Sequence, residues 1–152
     1  MFQTPIYQAL VNFFNTEEWS FIPKEDEPTL RLWYQGTSGQ WVCYAKVREE
    51  QKQVFFYSVS PVVVPENKFG AVTELINRIN CNLVFGNFAL DYEDGTFHFR
   101  TCLLFDNTSP STELLRKLVF FNVMLMDEYL QSLMQVLYTD ASPAEVFSQS
   151  KD

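Results

Sequence analysis

Residues Val84 to Phe105 read VFGNFALDYEDGTFHFRTCLLF. Hydrophobic residues recur on both sides of Asp94-Gly95, and Asp-Gly between two such runs is the strongest short-range hairpin signal, because primed turns need positive φ. The stretch predicts two antiparallel strands, at about residues 83–92 and 96–105, joined at Glu93-Asp94-Gly95.

Three more strands are expected upstream, at about residues 29–35, 40–48 and 53–60. Leu30, Leu32 and Tyr34 alternate with Arg31 and Trp33, and Gly36-Thr37-Ser38-Gly39 supplies a turn. Trp41 to Val47 and Val54 to Val59 are rich in aromatic and β-branched residues, which suit a pleated surface. In both of these segments the odd and even positions are equally apolar, so something is expected to cover the second face of the sheet.

Helical spacing fills the rest. Thr4-Pro5 opens a helix over about residues 4–15, with a hydroxyl cap and proline where a missing N–H costs nothing. Phe69, Val72, Leu75, Ile76 and Ile79 form the stripe of a second helix, at about 66–80, in which Glu74 and Arg78 sit at the favourable i,i+4 spacing. A long helix is expected at about 112–139, and Ser142-Pro143-Ala144-Glu145 is a capping box for a short one at 143–148. The order α-β-β-β-α-β-β-α predicts one α+β domain over residues 1–152, a five-stranded antiparallel sheet flanked by helices.

Composition narrows the function classes. The chain has 152 residues, enough for a core without disulfides, and 16% of them are aromatic, which calls for a thick core or an interface. Its net charge is −8 and its bases are scattered along the chain, so nucleic acid and anionic membrane surfaces are poor partners. Cys43, Cys81 and Cys102 form no C-x-x-C pair and read as small core residues in a reducing compartment. The start has no basic region ahead of its apolar residues, and the apolar run from Leu118 to Met126 is too short to span a bilayer, so a cytoplasmic location is expected.

Several strings resemble the YbjN family of bacterial sensory transduction regulators. They are Val54-Phe-Phe-Tyr-Ser-Val-Ser-Pro61, Val64-Pro65 leading into Phe69–Asn80, Gly86-Asn-Phe-Ala-Leu-Asp91, and Asp94-Gly95 with Phe99-Arg100-Thr101. Leu133-Met134 to Leu137-Tyr138 and Ser142-Pro143-Ala144-Glu145 extend the likeness, and residues 1 to about 40 lie outside it. The resemblance implies the fold of type III secretion chaperones, a strongly twisted antiparallel sheet flanked by helices and often dimeric. It implies no catalytic residues.

Residues that could carry chemistry have plainer explanations. Asp91, Glu93 and Asp94 before Gly95 suggest a calcium loop, but the ligand positions counted back from the glycine fall on Leu90 and Tyr92. His98, the sole histidine, alternates with Phe97 and Phe99 and has no nucleophile marked beside it. Asp127 and Glu128 are adjacent on a helix and diverge by about 100°, so they do not share a site. Gly36-Thr37-Ser38-Gly39 lacks the lysine of a phosphate loop, and Asn107-Thr108-Ser109 is a glycosylation sequon without a secretory context.

One feature resists a plain account. Leu118-Val-Phe-Phe-Asn-Val-Met-Leu-Met126 is apolar around nearly the whole helix, whereas a surface helix normally buries one stripe. Phe120, Phe121, Met124 and Met126 are therefore the candidate surface for a protein partner or a homodimer. The expected function is a non-enzymatic protein-binding module, chaperone-like or a regulatory adaptor, with no cofactor and no metal. The alternative is a small-ligand sensor with a pocket between sheet and helices.

Overall fold

The computed structural model describes residues 1–106 and 110–150. Helix α1 is Pro5–Thr16, followed by strands β1 (Phe21–Pro23), β2 (Thr29–Gln35), β3 (Gln40–Arg48) and β4 (Gln53–Val59). A 3₁₀ turn at Glu66–Lys68 leads into α2 (Phe69–Asn80), and β5 (Asn87–Leu90), β6 (Phe97–Leu104), α3 (Thr112–Tyr138) and α4 (Pro143–Ser150) complete the chain. The sheet is antiparallel throughout, in the order β1-β2-β3-β4-β6-β5.

The sheet thus has six strands where five were expected. The extra strand, β1, is three residues long and ends in Pro23. It pairs only with β2, on an edge where proline's missing N–H is tolerated. The hairpin between β5 and β6 is present, but its turn is not the two-residue primed type. The last strand pair is Leu90 with Phe97, and the loop closes through Asp91 N–H to Thr96 O (2.9 Å) and Gly95 N–H to Asp91 O (2.7 Å). Only Gly95 has positive φ there, at 75°. A Cβ at Gly95 would lie 2.6 Å from Val64 O, so the turn also needs glycine to let the Val63-Val64 segment approach.

Helix ends follow local chemistry, with one exchange of partners. Ser111 caps α3 by accepting from Leu114 N–H at 3.1 Å. Thr4 stands at the cap of α1 but its hydroxyl makes no capping bond; Glu49 Oε2, from the β3–β4 turn, accepts the Ile6 N–H at 3.0 Å instead.

Helices α1, α2 and α3 pack on one face of the sheet, and α4 packs on α2 and α3. Phe14 of α1 meets Phe56 of β4, and α3 crosses β4 and β6. The core between them is made of Leu30, Leu32, Trp41, Cys43, Ala45, Phe56, Phe88, Phe97 and Phe99 from the strands, with Leu10, Phe14, Leu118, Val123 and Leu130 from the helices. At its centre Asn122 of α3 is fully buried. Its amide donates to Phe56 O (2.8 Å), Phe99 O (3.2 Å) and Thr101 Oγ1 (3.2 Å), and its Oδ1 accepts from the Ser58 hydroxyl (2.6 Å). Trp41 Nε1–H donates to Ser58 Oγ, and the Thr101 hydroxyl donates to Leu118 O, so the network ties α3 to three strands.

The second face of the sheet, expected to be covered, is open. Among the described residues no helix lies on it, and Trp33, Val42, Tyr44, Phe55, Tyr57 and Val59 are left half-buried or exposed there.

Candidate protein-binding groove

Helix α3 is apolar on two sides for two different reasons. Leu118, Val119, Asn122, Val123 and Met126 recur at i, i+1, i+4, i+5 and i+8 and are buried against the sheet. Met126 therefore belongs to the core and is withdrawn from the candidate surface. Phe120, Phe121 and Met124 point away from that stripe. Phe120 and Phe121 are half-buried, and Met124 is 66% exposed.

These three line a groove of about 480 Å³ with Phe85, Leu103, Leu114 and Leu118, rimmed by Glu113, Arg116 and Lys117. The two phenylalanines are held from behind. The Phe121 ring lies 5.3 Å from Phe85, and the Phe120 ring meets Trp19 edge-on at 5.7 Å. Trp19 in turn stacks on Tyr34. Fixed aromatic walls beside a flexible methionine suit the capture of varied apolar side chains. Leu114, 42% exposed, leaves the apolar surface open at one end. Arg116 on the rim pairs with Glu17 (2.9 Å) and Glu113 (3.2 Å). Leu103 and Leu114 were not singled out by sequence, since each is an ordinary apolar residue until β6 and α3 are brought together.

The remaining candidates fall elsewhere. Asp127 is taken up by the β2–β3 turn and shares no site with Glu128. Its carboxylate accepts Thr37 N–H (2.9 Å), Thr37 Oγ1–H (2.8 Å) and Ser38 N–H (2.7 Å) from the β2–β3 turn. Burial alone would raise its pKa, but the bonds from Thr37 and Ser38 outweigh it and hold the carboxyl below its ordinary range. Gly36 makes this possible, because a Cβ there would lie 2.5 Å from Asp127 Oδ1. Asp91 and Asp94 are used by their own turn, accepting from Glu93 N–H and from Thr96. The described residues contain no cluster of three or more metal-ligating side chains. The sequon at Asn107 lies outside them.

His98 sits half-buried on the open face of β6, edge-on to Tyr57. Burial, and then the Arg100 guanidinium, hold its pKa below the ordinary value, against the pull of Asp91 and Asp94. The cysteines do not share one environment as expected. Cys43 is buried and its thiol is pushed up to about 12 by desolvation, whereas Cys102 faces outward on β6 and Cys81 is exposed just beyond α2. The space between sheet and helices, where a ligand pocket was the alternative, is occupied by Trp41, Phe56, Phe88, Phe97 and Phe99, all essentially inaccessible. None of the described helices is long and apolar enough to cross a membrane.

An open antiparallel sheet with its helices on one face defines the class, and comparison with solved structures agrees. The fold matches the crystal structure of YbjN, "a putative transcription regulator from E. coli", with a TM-score of 0.64 at 14% identity, covering 83% of this chain and 92% of that one. It also matches the HopA1–SchA chaperone–effector complex (TM-score 0.58, 13% identity, 83% and 94% covered). A third match is the Yersinia pestis type III secretion chaperone SycH in complex with a stable fragment of YscM2 (0.54, 16%, 82% and 98%). The chain belongs to the YbjN family, whose model, "Putative bacterial sensory transduction regulator", matches residues 8–134. The match begins well before the strings at residue 54 and takes in most of α1 and the first strands. No curated protein matches the sequence.

Proposed function

We propose that this chain is a non-enzymatic, cytoplasmic protein-binding module of the chaperone-like or regulatory-adaptor kind. The observation that carries the reading is the groove on α3, with Phe120 and Phe121 braced in place and Met124 left in solvent. Two of the structurally similar proteins, SchA and SycH, are chaperones seen with protein partners, which favours the same class of ligand here. Exposed, preorganised apolar surface of this kind marks protein association more often than chemistry. A second copy of the chain is the simplest occupant, and a homodimer through this face is part of the proposal. The free thiol of Cys81 suits a reducing compartment.

Light scattering tests it on the intact chain. The native protein is expected to have the mass of a dimer, or to become larger with a captured partner. Met124→Asp, at an exposed position, is expected to keep the circular dichroism spectrum and lose that association. A monomeric native chain that captures no protein from a bacterial lysate would sink the reading.

A further inference from the structure

The open face of the sheet has a composition unlike the rest of the chain. Its outward strand positions form rows across the sheet, set by the strand register. One row runs Ile22, Arg31, Tyr44, Tyr57, Arg100, Asn87. The next runs Trp33, Val42, Val59, His98, Ala89, and on the other side Lys46, Phe55 and Cys102 form a third. Arg48 lies beyond them, opposite Gln53.

No outward strand position on this face is acidic, although the chain carries nineteen acids and a net charge of −8. Arg31, Lys46, Arg48 and Arg100 are all exposed here, and none makes an ion pair among the described residues. Cations lie over the rings: the Arg31 guanidinium is 4.9 Å from the Trp33 centroid, and that of Arg100 is 5.9 Å from Phe55. Lys24 reaches over Tyr44 at 5.3 Å while pairing with Glu27.

We propose that this face is a second docking surface, for an acidic polypeptide segment that also carries aromatic or aliphatic side chains. Charge complementarity selects the acid. With strands about 4.8 Å apart, Arg31 and Arg100 stand roughly 14 Å from each other across the two tyrosines, a span that an extended segment bridges. A guanidinium laid on an aromatic ring is held in plane and presents its donors to a carboxylate in bidentate fashion. The tyrosines and valines between supply apolar contact.

Single-stranded nucleic acid is disfavoured because the Trp33, Tyr44 and Phe55 rings that would stack on bases already carry the chain's own cations.

The inference is independent of the groove on α3, and the test separates the two. A fluorescently labelled peptide alternating Glu and Tyr is titrated with the full chain and followed by anisotropy. Binding is expected, weakening as salt is raised, and no binding by the corresponding Lys-Tyr peptide. The double variant Arg31→Glu, Arg100→Glu is expected to bind the Glu-Tyr peptide at least about tenfold more weakly while remaining folded. Should that variant fail to fold, Lys46→Glu with Arg48→Glu serves under the same threshold. Met124→Asp is expected to bind the peptide as the native chain does. The proposal is overturned if the Glu-Tyr peptide does not bind, or if charge reversal leaves its affinity unchanged. Tighter binding of oligothymidylate overturns it in favour of nucleic acid. A native dimer that dissociates on charge reversal overturns it in favour of a second copy.

Discussion

The two faces of the sheet alternate residue by residue along the same strands, yet they obey different rules. Phe56 and Phe55 are neighbours in β4; the first is inaccessible and ringed by core residues, the second is half-buried beneath Arg100. The inner face excludes charge, and the polar groups it holds, Ser58, Thr101 and Asn122, are hydrogen-bonded to one another. The outer face collects half-open rings and strand cations that make no ion pair among the described residues. One face is built to be closed by the chain itself, and the other is finished as a surface for something else to meet.

Truncation of the two phenylalanines sharpens this contrast most. Phe56→Ala is expected to lower unfolding stability by about 4 kcal/mol, the loss typical of a buried aromatic with its cavity left behind. Phe55→Ala is expected to lower it by about 1 kcal/mol, because half of the ring already faces water. Urea denaturation of both variants measures the difference. Equal losses would show that the outer face is packed like the inner one, and the comparison would fail.

The network at Asn122 gives the next effect. Asn122→Leu fits a helix and a core by size, but it strips the donors from Phe56 O, Phe99 O and Thr101 Oγ1. Buried acceptors left unmade cost more than the hydrophobic gain returns, so a loss of about 2–3 kcal/mol is expected. A stabilised variant would mean that carbon would have served as well, and that the amide does not secure α3 to the sheet.

Much of this was legible in the sequence, and the rest was hidden for identifiable reasons. The aromatic and β-branched runs of β3 and β4, the hairpin signal ahead of β6 and the helical stripe of α2 are local patterns, and these elements lie close to the residues expected. β1 was missed because three residues ending in proline carry no period. The role of Asn122 within its apolar run was hidden because its four partners lie far away in sequence, on β4 and β6. Met126 shares a face with Leu118 and Asn122 by i,i+4 spacing, so its burial could have been read once the inward stripe was chosen. The bases seemed scattered because Arg31, Lys46 and Arg100 are on three different strands; only the register gathers them. The open outer face was misjudged because two-sided apolarity was taken to require a cover from within the chain.

A further effect lies at the contact between α3 and the β2–β3 turn, where an ionised group supports the closed side of the molecule. Asp127 accepts three bonds from Thr37 and Ser38. Asp127→Asn keeps the shape but turns at least one acceptor into a donor facing an N–H, so a loss of about 1–2 kcal/mol is expected at neutral pH. The dependence on acid gives a sharper check. The native carboxyl has its pKa held below the ordinary 3.8. A group whose folded pKa is depressed contributes stability above the unfolded value and loses it as pH falls through the folded value. The gap between native protein and Asp127→Asn should therefore be constant from neutrality down to about pH 5, and then narrow as pH falls through and below the unfolded value. Urea midpoints for both proteins at pH 7, 4 and 3 measure it. A gap that stays the same at pH 3, where the carboxyl of the unfolded chain is already largely protonated, would show that the charge on Asp127 contributes nothing to holding the turn against α3.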